Sequence, residues 1–241
     1  MKYVPQITVV VSAYNEEKYL PKCITALKKQ NYPRNKYSIL VIDNNSNDRT
    51  AKIARSYGTS VIKEKKQGYV FSLNRGLKSA KGEIIAITDA DSIPSANWLK
   101  QIAVYFEDPE IVGVSGSVQL DKISEEKNKF LLFFFNYFLR FNFACGKPHF
   151  LGPNMAIRKS AFMKIKNIDI RYKIGGDVVL GLQIKKYGKV RFMKDVSVVT
   201  SSRRFKNDFI DYSRDFFKYS FAYFCVVWLN RPSFGSLMPI R

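Results

Sequence analysis

The sequence predicts an α/β protein built as a three-layer sandwich. A mainly parallel mixed sheet is flanked by helices, and a basic, aromatic C-terminal helical segment follows it. Three observations predict this. Strand and helix signals alternate through the first half of the 241-residue chain. The strand signals include continuous β-branched and aliphatic runs, as expected of strands covered on both faces. Polar and acidic residues fall at the carboxyl ends of those runs, where parallel sheets collect their ligands.

Ile7-Thr8-Val9-Val10-Val11 is the first strand. Glu17 to Gln30 carries a helical stripe of Tyr19, Leu20, Cys23, Ile24 and Leu27, with Pro21 tolerable in its first turn. Ser38–Ile42 is the second strand, and Asn44-Asn45-Ser46-Asn47-Asp48 supplies capping residues for a helix through Ala51, Ile53 and Ala54. Thr59–Ile62 is a short third strand and Tyr69–Ser79 a helix. Glu83–Thr88 is a fourth strand, ending at Asp89-Ala90-Asp91 and a turn, Ser92-Ile93-Pro94. Val112–Val118 and Phe150–Ile157 read as strands, Phe130–Phe143, Ser160–Ile165 and Asp177–Tyr187 as helices, and Val190–Val199 as a last strand. Strands alternating with helices imply crossover connections and helices on both faces. The expected organisation is one catalytic domain over residues 1–202, divided near residue 120, and a helical segment over 203–241.

A hydrophobic content of 46% suffices for a full core. The net charge is +20, and its excess is uneven: +6 in residues 1–120 and +14 in residues 121–241. Such a balance suits phosphorylated substrates, acidic lipid headgroups or nucleic acid, and equally a solvated lysine-rich surface. Cys23, Cys145 and Cys225 are far apart and odd in number, with no Cys-x-x-Cys spacing, which argues against a disulfide framework and a structural zinc site. Reduced, cytoplasmic-side chemistry is expected. Ile7–Val11 is too short an apolar run for a secretory signal, and no small-residue cleavage site follows.

Asp89 and Asp91 stand one residue apart at a strand end, so both carboxylates can reach one divalent ion. Hard oxygen ligands suit Mg²⁺ or Mn²⁺, which leave positions open for a diphosphate. Two acids in a turn are also common for conformational reasons alone. Asp43 ends the second strand; its carboxylate could accept from a base or ribose hydroxyl, or close an Asx turn and cap the next helix. Asp177 could take a proton from an attacking hydroxyl, or cap the helix after Gly175-Gly176. A single base opposite the leaving group implies one-step displacement with inversion.

Taken in order, the pieces are more specific than each alone. Val11-Ser12-Ala13-Tyr14-Asn15-Glu16-Glu17, Val41-Ile42-Asp43-Asn44-Asn45-Ser46-Asn47-Asp48-Arg49-Thr50, Asn74-Arg75-Gly76-Leu77, Ala80-Lys81-Gly82-Glu83 and Thr88-Asp89-Ala90-Asp91 follow one another. Gly152-Pro153-Asn154-Met155-Ala156-Ile157-Arg158-Lys159 and Gly176-Asp177-Val178-Val179-Leu180-Gly181-Leu182 continue the series. The set, spanning about residues 5–200, resembles family 2 glycosyltransferases, which have the GT-A nucleotide-diphospho-sugar transferase fold. The resemblance implies that Ala13, Tyr14 and Glu16 line the nucleotide pocket, with Tyr14 near the base, and that Asp43 contacts the base or ribose. It implies that Asp89, beside Ala90, faces the ribose and metal, that Asp91 is the main ligand of a Mn²⁺ or Mg²⁺ ion, and that Asp177 is the catalytic base. The donor would be a UDP- or GDP-sugar and the acceptor a sugar or a lipid-linked hydroxyl. Two departures stand out. Gly176 replaces the family's Glu before the base, and Ser201-Ser202-Arg203-Arg204-Phe205 lacks the Gln-x-x-Arg-Trp of processive members, which argues against a polymer-extruding enzyme. Arg203 and Arg204 could serve a diphosphate or face anionic lipid.

Phe130–Phe143 holds eight Phe or Tyr in fourteen positions, and Tyr219–Leu229 is a second aromatic run bounded by Lys218 and Arg231. Both fall short of the roughly 20 residues that span a bilayer. The second suits a helix lying on an anionic membrane surface, so a peripheral position on the cytoplasmic side of the membrane is expected. The first is expected rather to pack on the sheet or against the other aromatic helix. The lone His149 reads as structural. A nucleic-acid-binding module lacks any helix-turn-helix, RNP-like or zinc signature, so no nucleic-acid partner is expected. A nucleotidyltransferase would bring a Gly-rich triphosphate loop, and Val11–Glu17 has no Gly. A non-catalytic sugar-nucleotide binder stays open on sequence alone.

Overall fold

The computed structural model describes residues 3–121, 125–169, 175–203, 221, 223–224 and 227–229. The strands are β1 (Ile7–Ala13), β2 (Tyr37–Asp43), β3 (Ser60–Lys63), β4 (Ile84–Asp89), β5 (Ser92–Pro94), β6 (Ile111–Leu120), β7 (Met155–Arg158) and β8 (Lys189–Thr200). The helices are α1 (Leu20–Lys28), α2 (Thr50–Ser56), α3 (Tyr69–Ser79), α4 (Trp98–Tyr105), α5 (Glu125–Ala144), α6 (Lys159–Ile165) and α7 (Gly176–Ile184).

The eight described strands form one sheet in the order β3-β2-β1-β4-β7-β6-β8-β5. β1 pairs in parallel with β2 on one side and β4 on the other, and β2 in parallel with β3. The chain runs outward from β1 to β3, then returns to the opposite side of β1 as β4. That reversal opens a crevice at the carboxyl ends of β1, β2 and β4, where open α/β sheets bind ligands. β7 is antiparallel to both β4 and β6, which makes the sheet mixed, while β6 and β8 are parallel.

The continuous apolar runs form strands because both faces are covered. Val9 and Val11 join Leu20, Ile24, Leu27, Trp98 and Leu99 on one face, whereas Val10 packs with Ile42, Leu73 and Leu77 on the other. Each such side chain, removed fully from water, contributes about 1.5–3 kcal/mol. Asn154 joins the later strands: its Nδ2 donates to Ser117 O and Val196 O, both at 2.8 Å, and its Oδ1 accepts from Trp98 Nε1 at 2.9 Å.

Two expectations are corrected. Ser92-Ile93-Pro94 is not a free turn but an edge strand antiparallel to β8, pairing Ser92 with Thr200 and Pro94 with Val198. An edge strand tolerates Pro because its missing N–H faces away from the ladder. The strand expected over Phe150–Ile157 begins only at Met155, because the preceding residues turn at Leu151–Asn154, where Asn154 N bonds Leu151 O at 2.9 Å.

The helix expected at Phe130–Phe143 lies within α5 and packs along β6 and β8. Leu139 and Asn142 are buried there, but Phe133, Phe134, Tyr137 and Phe141 are exposed. Packing on the sheet therefore accounts for one side of the helix only. His149 is sandwiched by aromatic rings, stacked on Tyr223 at 4.3 Å and edge-on to Phe135 and Phe138. Burial pushes its pKa down to about 3, which fits a structural role. Most of the C-terminal segment expected to be helical lies outside the described residues; Phe221, Tyr223, Phe224 and Val227 are helical. Among the described residues, no helix is long and apolar enough to cross a membrane.

Candidate active site

The crevice is built by strand register. Ala13 pairs with Asp43 and Ser12 with Asp89, so the last residues of β1, β2 and β4 lie side by side across the sheet. Asp43, Asp89 and Ala90 are buried, as are Glu16 and Asp91 just beyond the strand ends. Tyr14 is partly exposed at the mouth.

The two loops beside the crevice brace each other. Asn15 and Asn45 have φ of 53° and 61°, a left-handed conformation that Asn tolerates better than most side chains. Asn15 N donates to Ser46 Oγ at 3.0 Å, and Asn15 Oδ1 accepts from Asn47 N at 2.9 Å. Thr50 Oγ1 accepts from Glu16 N at 2.7 Å while Asp48 Oδ1 accepts from Thr50 N at 2.9 Å, which fastens the entry to α2. Asp43 Oδ1 accepts from Ser46 N at 3.3 Å, three residues on, so its carboxylate braces the start of the loop. Asn44 has the composition of a capping residue. Its side chain instead holds the next loop, donating to Lys66 O at 2.7 Å and accepting from Gly68 N at 2.7 Å.

The acidic cluster contains a cation that spacing could not reveal. Arg203 Nη2 donates to Glu16 Oε1 and to Asp91 Oδ2, the latter at 3.0 Å, and the guanidinium lies 4.3 Å from the centre of the Tyr19 ring. Among the described residues, no group of three or more His, Cys, Asp or Glu is arranged to hold an ion by itself. The donor set still fits a hard divalent cation bound partly by substrate oxygens. Its carboxylates are buried oxygen donors, and a guanidinium supplies positive charge between two of them.

Asp177 sits across the crevice in the first turn of α7. Its Oδ2 accepts from Gly152 N at 2.8 Å and its Oδ1 from Val178 N at 3.0 Å. Pro153 O, one residue on from Gly152, accepts from Thr88 Oγ1 at 2.9 Å, which ties the Asp177 loop to the end of β4. Burial pushes the Asp177 pKa up to about 6, against the hydrogen bonds from Gly152 and Val178, and the negative charge of Asp89 adds to the rise. A carboxyl group titrating there can hold or accept a proton near neutral pH. Gly176 has a packing reason: a Cβ there would come within 2.8 Å of Val70 Cγ2. The start of α7 thus approaches α3 too closely for a Glu without rearrangement.

The sequence pattern described as glycosyl transferase family 2 matches residues 8–166. Glycosyltransferase AglE of Haloferax volcanii is 36% identical over 103 residues, 40% of this chain and 34% of AglE. A Methanococcus voltae dolichyl N-acetyl-alpha-D-glucosaminyl phosphate 3-beta-D-2,3-diacetamido-2,3-dideoxy-beta-D-glucuronosyltransferase is 31% identical over 131 residues, 49% of this chain and 40% of that enzyme. The chain therefore spans well under half the length of either relative. Among solved structures, mannosyltransferase PcManGT from Pyrobaculum calidifontis, in complex with GDP-Man and Mn²⁺, superposes with a TM-score of 0.68 at 25% identity. That match covers 82% of this chain and 57% of PcManGT. Staphylococcus aureus TarS 1–349 in complex with UDP shares the fold, with a TM-score of 0.63 at 18% identity over 81% of this chain and 60% of that one.

The Asp177 environment has a measurable consequence. Its pKa is raised on folding, so the native chain binds more protons than the unfolded one between about pH 4 and 6, and stability falls as pH rises through that window. Relative to Asp177→Asn, wild type should lose about 1–3 kcal/mol from pH 4 to pH 7, read from urea unfolding at each pH. A difference that stays flat with pH would mean that the carboxylate is solvated in the native state.

Proposed function

The chain belongs to glycosyl transferase family 2, and from that premise we propose that it moves a sugar from a nucleoside-diphosphate sugar to an acceptor hydroxyl with inversion. The observation that carries the reading is the register that sets Asp43 beside Ala13 and Asp89 beside Ser12, with Asp177 tied to the same strand end from across the crevice. In this reading residues 1–120 hold the donor and residues 121–202 the acceptor. Ala13, Tyr14 and Glu16 line the nucleotide pocket, Tyr14 lies along the base, and Asp43 accepts from the base or ribose. Asp89 and Asp91 hold Mn²⁺ or Mg²⁺, which when bound supplies Lewis-acid neutralisation of the diphosphate.

Asp177 takes the proton of the acceptor hydroxyl as its oxygen bonds to the anomeric carbon. The bond from that carbon to the diphosphate oxygen breaks on the opposite face, and the configuration inverts. The hydrogen bonds from Gly152 and Val178 fix the direction in which the carboxylate points, and its raised pKa strengthens it as a base.

The acceptor side is proposed to lie at an anionic membrane surface on the cytoplasmic side, with the enzyme bound peripherally through residues 203–241. Support comes from the +14 excess of residues 121–241 and from Phe221, Phe224, Trp228 and Leu229, all exposed. Phe133, Phe134, Tyr137 and Phe141 of α5 extend the apolar surface, since Phe138 meets Tyr223 at 5.5 Å between the two helices. Exposed aromatic side chains in a stretch of sequence rich in Lys and Arg match the chemistry of the headgroup region. A lipid-linked acceptor would then reach Asp177 without leaving the membrane.

Transfer is tested by incubating UDP- and GDP-sugar panels with sugar and lipid-linked acceptors, with Mn²⁺ or with EDTA. Asp177→Asn should lower turnover by a factor of about 100 or more while donor affinity stays within a few-fold, as expected for an interaction used in the transition state. The wild-type rate should rise with pH through a limb near 6. Normal turnover by Asp177→Asn would remove it as the base. Membrane attachment is read by flotation with phosphatidylglycerol vesicles. The full chain should float, high salt should weaken this only partly, and Phe224→Ser with Trp228→Ser should weaken it strongly. Flotation by neither chain, or equally by both, would assign those side chains to protein packing.

A further inference from the structure

Arg203 lies 112 positions from Asp91 in the chain and 187 from Glu16, yet its guanidinium joins both. The approach is prepared by the backbone before it. Ser201 N donates to Asp91 O at 3.2 Å, and Ser202 donates through N and Oγ to Asp121 Oδ1 at 2.7 and 2.8 Å. The Tyr19 ring, 4.3 Å away, gives the planar cation a surface to rest on. The Asp91 side chain is only 5% exposed and that of Glu16 11%, whereas Arg203 keeps 28% of its side chain in solvent. The carboxylates are therefore fixed and buried, while the cation sits on the outer side with a way out.

Buried carboxylates close together are costly unless positive charge lies between them, and a guanidinium supplies it at any physiological pH. A divalent ion on Asp91 would supply the same neutralisation more strongly and would need the carboxylate that Arg203 engages. Two cations on one carboxylate repel each other in surroundings that screen poorly. We propose that Arg203 is a resident counter-cation that competes with the divalent ion for Asp91. Metal entry displaces the guanidinium, and metal-free protein keeps its acidic cluster neutralised. This rests on the proposal that the ion binds at Asp91.

The test is Mn²⁺ titration of the full chain without nucleotide, followed by electron paramagnetic resonance of the free ion. Arg203→Ala should bind Mn²⁺ about tenfold more tightly than wild type, since a competitor has gone. Tyr19→Leu, which keeps Arg203 but removes the ring beneath it, should shift affinity the same way by a smaller factor. It carries the test if Arg203→Ala fails to fold. Asp91→Asn should lose most of the binding. Affinity unchanged or weaker in both Arg203→Ala and Tyr19→Leu, with Asp91→Asn still defective, overturns the competition and leaves the metal site standing. Mn²⁺ binding unchanged in Asp91→Asn contradicts the metal site and the competition together.

Discussion

In a parallel sheet every carboxyl end points to the same edge, and the chain can reverse its strand order only by crossing back over strands already laid down. Here that crossing happens at β1, which takes β2 on one side and β4 on the other. Because Ala13 pairs with Asp43 and Ser12 with Asp89, three short peptide segments deliver their polar residues to one line without any flexible element. The helices that cover the sheet are secondary to this. Their apolar faces stabilise the strands, and the loops between them inherit positions from the strand ends. Even Asp177, which comes late in the chain, is placed by a loop fastened to Thr88 at the end of β4.

Electrostatics then divides the crevice. On the side of Glu16 and Asp91, burial is offset by a guanidinium, so negative charge can be held in a poorly solvated place. On the side of Asp177 the carboxyl group accepts from two backbone N–H groups, yet burial outweighs them and raises its pKa. In the proposed reading one side meets a diphosphate and the other moves a proton. Close packing of α7 against Val70 at Gly176 shapes the space beside the second.

Much of the fold was legible because it rests on local pattern. The runs at Ile7–Val11 and Ser38–Ile42 lie inside β1 and β2, and Tyr69–Ser79 coincides with α3. What was missed depends on partners distant in sequence. Ser92-Ile93-Pro94 has a turn's composition and becomes a strand only because β8 supplies a ladder. α4 went unread although Trp98, Leu99, Ile102 and Ala103 form a buried helical stripe. The acids at the strand ends were legible for the same reason as the strands. Arg203 was not placed, since no local rule links it to residues more than a hundred positions away, nor could periodicity say that one aromatic stripe of α5 would face solvent.

The account stands on the claim that the β1–β2–β4 edge is a metal-assisted nucleotide site. Diffraction at the manganese absorption edge, from crystals soaked with Mn²⁺ and UDP or GDP, locates the ion directly. The account predicts an anomalous peak against the Asp91 carboxylate, with the nucleotide lying over Ala13 and its base or ribose at Asp43. A peak remote from Asp91, or a nucleotide bound away from that edge, would contradict it.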